Sequence, residues 1–225
     1  IIFGGEANYS KNKDIKNINV IKAHSYDYDL FLDEEYYNNK SLIKNRYLVF
    51  LDSFVPYHPD YLHMNMPPYC SAKNYYPNLN KFFGNLESLM DVKIVIAAHP
   101  KADYNKSNNP FKKRKFIFNK TVNLVKYADI VLTQDSTSTH FAILYNKPIL
   151  FLNSFKYSYR YFNMIEYYAS LFGKQTINVD NKKFEKELDL NINEKKYTDY
   201  KDLYIKIPGT PEKKIWEIFL SHTKN

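Results

Sequence analysis

Short apolar runs alternate with amphipathic stretches through most of this chain. Arg46–Leu51 (RYLVFL), Val92–Ala98 (VKIVIAA), Phe116–Phe118, Asp129–Thr133 (DIVLT), Ile149–Leu152 (ILFL) and Thr176–Val179 read as strands buried on both faces. Between them, Asn74–Met90 places Leu79, Phe82, Phe83, Leu86 and Leu89 on one helical face, with Pro77 expected in the first turn. Further helices are predicted over Thr121–Tyr127, His140–Tyr145, Tyr157–Phe172 (stopped by Gly173) and Lys182–Leu188. Strand–helix alternation from Arg46 onward implies βαβ units, right-handed crossovers and an α/β fold whose parallel sheet carries helices on both faces.

The flanks are less regular. Ile1–Phe3 reads as a strand ending at Gly4-Gly5, Lys11–Asn17 as a polar loop, and Val20–Ala23 as a second short strand. Tyr26–Tyr37 reads as a helix with Ser25 or Asp27 as cap. Ser53–Ala72 is a long segment rich in Pro, Tyr and His, the kind of loop that carries function. Asn191–Pro208 reads as irregular, and Thr210-Pro211-Glu212 opens a last helix docked by Trp216 and Phe219. The expected division is 1–45, the end of one domain and a linker, and 46–225, a second domain. The abrupt start at Ile1, with no initiator Met, reads as a piece of a longer protein.

Composition narrows the chemistry. The 225 residues hold 22 Tyr and 16 Phe but only 5 Gly, and the formal net charge is +8. That charge favours an anionic partner without choosing among a nucleotide, an acidic glycan, a membrane surface and nucleic acid. The densest cationic run, Lys112-Lys113-Arg114-Lys115, reads either as a solvated turn or as a patch for a membrane surface or acceptor. One cysteine, Cys70, excludes an intrachain disulfide and a multi-thiolate zinc site. Neither a membrane-length apolar run nor a secretory signal is visible, and a cytoplasmic location is expected.

In a parallel sheet ligands bind beyond the carboxyl ends of the strands. Asp52, Ser53, His58 and Asp60 follow the first long strand; His99, Pro100 and Lys101 follow the second; Gln134-Asp135-Ser136-Thr137-Ser138-Thr139 follows the fourth. The Asp135–Thr139 turn opens a helix, where amide N–H groups and hydroxyls suit a phosphate; the alternative is that Ser136 or Ser138 only caps that helix. No glycine stands in the turn, so it is not a P-loop. Pro100 biases His99 towards an extended backbone, and its imidazole suits a phosphate oxygen; Lys101 adds a cation or is merely solvated. Tyr57 and Tyr61, around the second His-Pro at His58-Pro59, read either as stacking partners for a base or sugar or as part of an ordered aromatic loop packed on the sheet.

The order VKIVIAAHPK, then TVNLVKYADIVLTQDSTSTHFAILYNKPILFL, resembles the C-terminal, Rossmann-like donor domain of glycosyltransferases with the GT-B fold. The pairing of His-Pro with a later Ser/Thr turn is similar to bacterial sialyltransferases, polysialyltransferases and related capsule enzymes, over about Arg46–Asn153. The resemblance implies a glycosyltransferase in bacterial capsule, lipooligosaccharide or other surface polysaccharide synthesis; no DxD motif stands at a strand end, so the sequence requires no bound metal and a metal-independent enzyme is expected. It further implies a CMP- or UDP-linked nucleotide-sugar donor as substrate rather than a cofactor, and a glycan or glycolipid acceptor. Peripheral association with the inner face of the cytoplasmic membrane is compatible with it, and nucleic acid is not an expected partner. Carried over, that gives His99, Ser136 and Thr137 as contacts to the donor phosphate, with Ser138 as a near neighbour; Lys101 and Asp135, beside them in sequence, complete the candidate donor-binding set. The family's acidic D/E-D/E-G triplet is absent, so the base is sought at Asp27, Asp29 or His58; the plainer reading of Asp27 and Asp29 is first-turn charge on a helix. Two alternatives stand: a nucleotide-sugar epimerase of the same double-Rossmann build, and a non-catalytic polysaccharide-assembly partner.

Overall fold

The computed structural model describes residues 1–12 and 19–223, the side chain of residue 12 excepted. The strands are β1 (Ile2–Phe3), β2 (Ile21–Lys22), β3 (Tyr47–Leu51), β4 (Lys93–Ala98), β5 (Phe116–Phe118), β6 (Ile130–Thr133), β7 (Ile149–Asn153) and β8 (Thr176–Asn178). The helices are α1 (Glu6–Asn12), α2 (Tyr26–Tyr37), α3 (Asp60–His63), α4 (Ala72–Met90), α5 (Thr121–Tyr127), α6 (Thr139–Leu144), α7 (Tyr159–Leu171), α8 (Glu194–Tyr200) and α9 (Ile215–Thr223). The loop expected over Lys11–Asn17 lies mostly outside the described residues; Lys11 and Asn12 end α1.

Six strands form one sheet in the order β5-β4-β3-β6-β7-β8, every pair parallel. Counted within the sheet this is 3-2-1-4-5-6, the doubly wound Rossmann-like arrangement, so the expected α/β class stands. Alternate strand residues serve alternate faces. Leu48, Phe50, Ile94, Ile96, Leu132 and Leu150 pack with Leu79, Phe82, Phe83 and Leu86 of α4. Tyr47, Val49, Leu51, Val95, Val131 and Phe151 pack with Leu124 of α5, Phe141 of α6 and Tyr200 of α8. Each fully buried side chain of this size stabilises the fold by about 1.5–3 kcal/mol, which is why continuous apolar runs, not alternating ones, became strands.

Several expectations need correction. Helix α4 begins two residues early, at Ala72, which puts Pro77 in its second turn. Leu89, expected on its buried face, is 50% exposed. Within Asn191–Pro208 lie α8 and a π turn over Lys201–Ile205. The Asn193 side chain accepts the Lys196 N–H at 3.1 Å to start α8, whose charged face hid the two buried tyrosines, Tyr197 and Tyr200. Thr210 does not cap the last helix: its hydroxyl bonds back to the Ile207 carbonyl, closing a turn at Gly209 (φ 77°), and α9 starts only at Ile215. Trp216 is exposed, whereas Phe219 packs as expected on the small core beside Ile218, the buried anchor.

β1 and β2 form a separate two-stranded parallel sheet. Ile21 of β2 and Ala23 just beyond it share a small core with Ile218 of α9, while α2 packs on α5 and α6 beside the large sheet. Gly5 sits where a Cβ would lie 2.3 Å from the Leu203 carbonyl oxygen and 2.8 Å from the Tyr204 Cα. Both obstacles are backbone and cannot rotate away. Gly5→Ala is therefore expected to destabilise this junction by about 1–3 kcal/mol. In hydrogen exchange, the Ile21 and Ala23 amides should lose protection while those of β3 and β4 keep theirs; unchanged protection at Ile21 would refute the contact.

Candidate functional site

The strand order reverses between β3 and β6, and there the βα loops run in opposite directions and leave a crevice beyond the strand ends. A cleft of about 420 Å³ occupies that place. The tips Leu51, Ala97 and Ala98 line it, with Asp52, Ser53, His58, Asp60 and Tyr61 after β3, His99 and Pro100 after β4, and Asp135–Ser138 after β6. Met64, Met66, Tyr69, Tyr161 and Met164 complete an apolar and aromatic wall. The cleft thus pairs a polar end with a surface suited to a flat ring.

Asp52 organises the first two loops. It is 4% exposed, and its carboxylate accepts the Phe54 N–H at 2.9 Å, the His99 N–H at 3.4 Å and the Tyr104 hydroxyl at 2.9 Å. The first of these closes an Asx turn that holds Phe54 at φ 51°, a left-handed conformation unfavourable to a bulky residue. Phe54 then stacks on His99, ring centroids 5.7 Å apart and planes 18° off parallel. Burial pushes the Asp52 carboxyl up to about 6, against the lowering effect of the Phe54 N–H, the Tyr104 hydroxyl and the His99 N–H.

His99 is neutral at physiological pH. Burial lowers its imidazole to about 4, and neighbouring His58 and Lys101 push the same way. Its Nδ1 accepts the Lys101 N–H at 3.2 Å, so the ring proton sits on Nε2 and is available for donation. The His58 ring lies edge-on, 5.1 Å from that of His99. Nδ1 of His58 faces the Asp60 amide at 3.3 Å and the Asp60 carboxylate at 3.5 Å.

The turn after β6 is fastened from behind by tyrosines. Tyr75 donates to the Gln134 side chain at 2.8 Å and Tyr161 donates to Asp135 at 2.7 Å. Burial raises the Asp135 carboxyl, with Tyr161 and Ser53 opposing it. The amides of Thr139, His140 and Phe141 are taken by the carbonyls of Ser136, Thr137 and Ser138. The expected gift of helix-start N–H groups is thereby reduced. Ser136, Thr137 and Ser138 line the cleft and bring it three hydroxyls, of which Ser136 also accepts the Ser138 N–H at 3.3 Å.

His58, His99, Asp135, Ser136, Thr137 and Ser138 therefore share one cleft. Lys101 is exposed outside its lining and contributes a backbone N–H to His99. Asp27 and Asp29 lie away from it. Asp27 pairs with His140 Nδ1 at 2.7 Å, and Asp29 accepts the Ile215 N–H at 3.0 Å beside the buried His24 ring, 3.6 Å away. On α2 both are first-turn acids bound to neighbouring elements, outside the lining of the cleft. Tyr104, Tyr69 and the three methionines were not singled out by sequence; only the aromatic density of the Ser53–Ala72 segment hinted at a wall. Among the described residues no group of three His, Cys, Asp or Glu side chains could hold a metal, and no helix is long and apolar enough to cross a membrane.

No family model matches the chain, and no curated protein matches it in sequence. Among solved structures, that of E. coli ADP-heptose LPS heptosyltransferase II matches with 16% identity and a TM-score of 0.31, over 58% of this chain and 38% of that one. The chain thus spans well under half the length of that neighbour.

Proposed function

We propose that this chain is the donor-binding part of a nucleotide-sugar glycosyltransferase of GT-B build, acting in bacterial surface polysaccharide or lipopolysaccharide synthesis. One observation carries the reading: the His99 imidazole and the Ser136–Ser138 hydroxyls line the same cleft at the switch point of a doubly wound sheet. In this reading the neutral His99 donates from Nε2, and the hydroxyls donate alongside it, to the donor's phosphate oxygens. Charge that builds on the leaving phosphate as the glycosidic bond breaks is met by dipoles already in place. The Tyr69–Tyr161 pair, stacked at 4.6 Å, and the methionines beside it take the base or the sugar.

His58 is the best-placed base of the three candidates, because it alone lines the cleft. Its Nδ1 accepts the Asp60 N–H at 3.3 Å, so action as a base requires the other tautomer, in which Nδ1 carries the proton and the Asp60 carboxylate, 3.5 Å away, receives it while Nε2 takes the acceptor's proton. A CMP-linked donor remains the favoured choice on the His-Pro and Ser/Thr pairing, with UDP-linked sugars next. The small β1–β2 sheet would belong to the acceptor side of a division near residue 45, with α9, from the far end of the second part, packed on it.

The test is calorimetric titration with CMP, CDP, UDP and ADP. One of them should bind, and His99→Ala and Ser136→Ala should each weaken it about tenfold to a hundredfold, the loss of one hydrogen bond to a charged group. The melting temperature should change little in either variant. Equal binding by both variants and the parent chain would remove the site assignment.

A further inference from the structure

The opposite end of the sheet, where the strands begin, carries a second and larger groove of about 860 Å³. Three separate segments meet around it: Ile43–Tyr47 ahead of β3, Lys93–Val95 at the start of β4, and Lys112–Lys115 ahead of β5. Three acids at this end are paired with cations, while Asp91, just before β4, is exposed without an ion pair among the described residues, so five unpaired lysines face one unpaired acid. Glu87 pairs with Arg114 at 2.7 Å, Asp129 with Arg46 at 2.8 Å, and Glu35 with Lys126 at 3.0 Å. Lys44, Lys93, Lys112, Lys113 and Lys115 are exposed and have no ion pair among the described residues. The run in the sequence is thus divided by the fold: Arg114 turns inward onto the Phe83 ring, 5.3 Å away, and three lysines turn out.

Apolar side chains flank the cations. Tyr36 is 83% exposed, Tyr37 67%, Leu42 43% and Leu89 50%. The first three sit at or just beyond the end of α2. That end lies beside the C-terminal end of α5, where the Tyr127 hydroxyl bonds to the Asn39 carbonyl at 2.6 Å. Leu89 is in the last turn of α4, which ends just before β4.

We propose that this strand-start face binds an anionic bilayer surface, with the lysines in the headgroup field and the tyrosines and leucines at the interface. The free cations are all lysines, point charges suited to a diffuse field, whereas both arginines, the forks that would read a defined phosphate, are tied in ion pairs. Exposed tyrosines and leucines beside them add the apolar contact that an acidic glycan would not use. The donor cleft at the other end of the sheet then opens towards water. This proposal does not depend on what that cleft binds.

The experiment is co-sedimentation of the 225-residue chain with vesicles of equal parts phosphatidylcholine and phosphatidylglycerol, and with pure phosphatidylcholine. Binding is expected only to the anionic vesicles and should fall as salt is raised. Replacing Lys112, Lys113 and Lys115 together with Gln should weaken it about a hundredfold, at roughly fivefold per lysine. Replacing Lys44 and Lys93 with Gln gives an independent second variant with a smaller loss. Both variants should melt as the parent does, and Ser136→Ala should bind vesicles normally, which separates this face from the cleft. Equal binding to neutral vesicles, no binding to either kind, or a lysine-dependent preference for RNA or heparin over vesicles would each overturn the proposal.

Discussion

Asp52→Ala is expected to lower the stability of the whole domain by several kcal/mol and to abolish ordered placement of His99. The substitution strands three donors, the Phe54 and His99 amides and the Tyr104 hydroxyl, in a site that is 4% exposed. Each orphaned buried donor costs about 1–3 kcal/mol, and the left-handed Phe54 backbone loses the bond that holds it. Urea unfolding followed by circular dichroism reads the loss, and a change below about 1 kcal/mol would contradict it.

Asp52→Asn separates charge from shape. The folded carboxyl titrates at about 6, above its ordinary value of 3.8, so the folded state holds the proton more tightly than the unfolded chain. The resulting stability is fully present below pH 4 and is lost as pH rises through 6. From 6 − 3.8 = 2.2 pH units the size is about 3 kcal/mol at 1.36 kcal/mol per unit. The difference in unfolding free energy between parent and Asp52→Asn should therefore shift against the parent across pH 4 to 6 and be level above about pH 7. A difference that stays level across the whole range would mean that Asp52 is not a desolvated carboxylate.

Arg114→Ala is the second large effect, expected at about 3–5 kcal/mol. Arg114 bonds to the Glu87 carboxylate at 2.7 Å and the Asn80 side chain at 2.9 Å, and covers the Phe83 ring. Both charged side chains of the pair are nearly buried, at 10% and 14% exposed. Removing the cation leaves a desolvated carboxylate, whereas removing both charges in Arg114→Met with Glu87→Gln should restore much of the loss. Arg114→Met and Glu87→Gln, made singly and together, form the double-mutant cycle that measures the coupling. The single variant should also release the Lys112–Lys115 turn, so vesicle binding should fall with it. If Arg114→Ala costs no more than the double variant, the pair is not what anchors that turn.

The fold was legible because both sheet faces are buried. A strand with helices on either side must be apolar at every position, so RYLVFL and VKIVIAA stand out against the amphipathic segments that cover them. Phe116–Phe118 and Thr121–Tyr127 came out with their observed limits. Elements failed where local signals competed with tertiary ones. Glu194–Tyr200 is mostly charged, and only its packing through Tyr197 and Tyr200 makes it a helix worth forming. Thr210-Pro211 looked like a helix start, yet the Thr210 hydroxyl finds a better partner in the turn behind it.

The site divides in the same way. His99 and the Ser136–Ser138 turn were visible because polar residues directly after buried strands must sit on the sheet's carboxyl edge. Sequence spacing alone could not say that Asp27 and Asp29 belong to other contacts, on His140 and on the start of α9. Nor could it show that Asp52, written as one acid among several, is the acceptor for donors from three different segments.

By itself, then, the order of residues determined the sheet, its direction and the edge where polar side chains gather, since hydrophobic periodicity is a local property that each segment carries with it. Only the tertiary structure decided which acids are spent on structure, which imidazole is neutral, and which lysines of a single run face outward. Those outcomes depend on desolvation and on partners distant in sequence, and neither is written in any one segment.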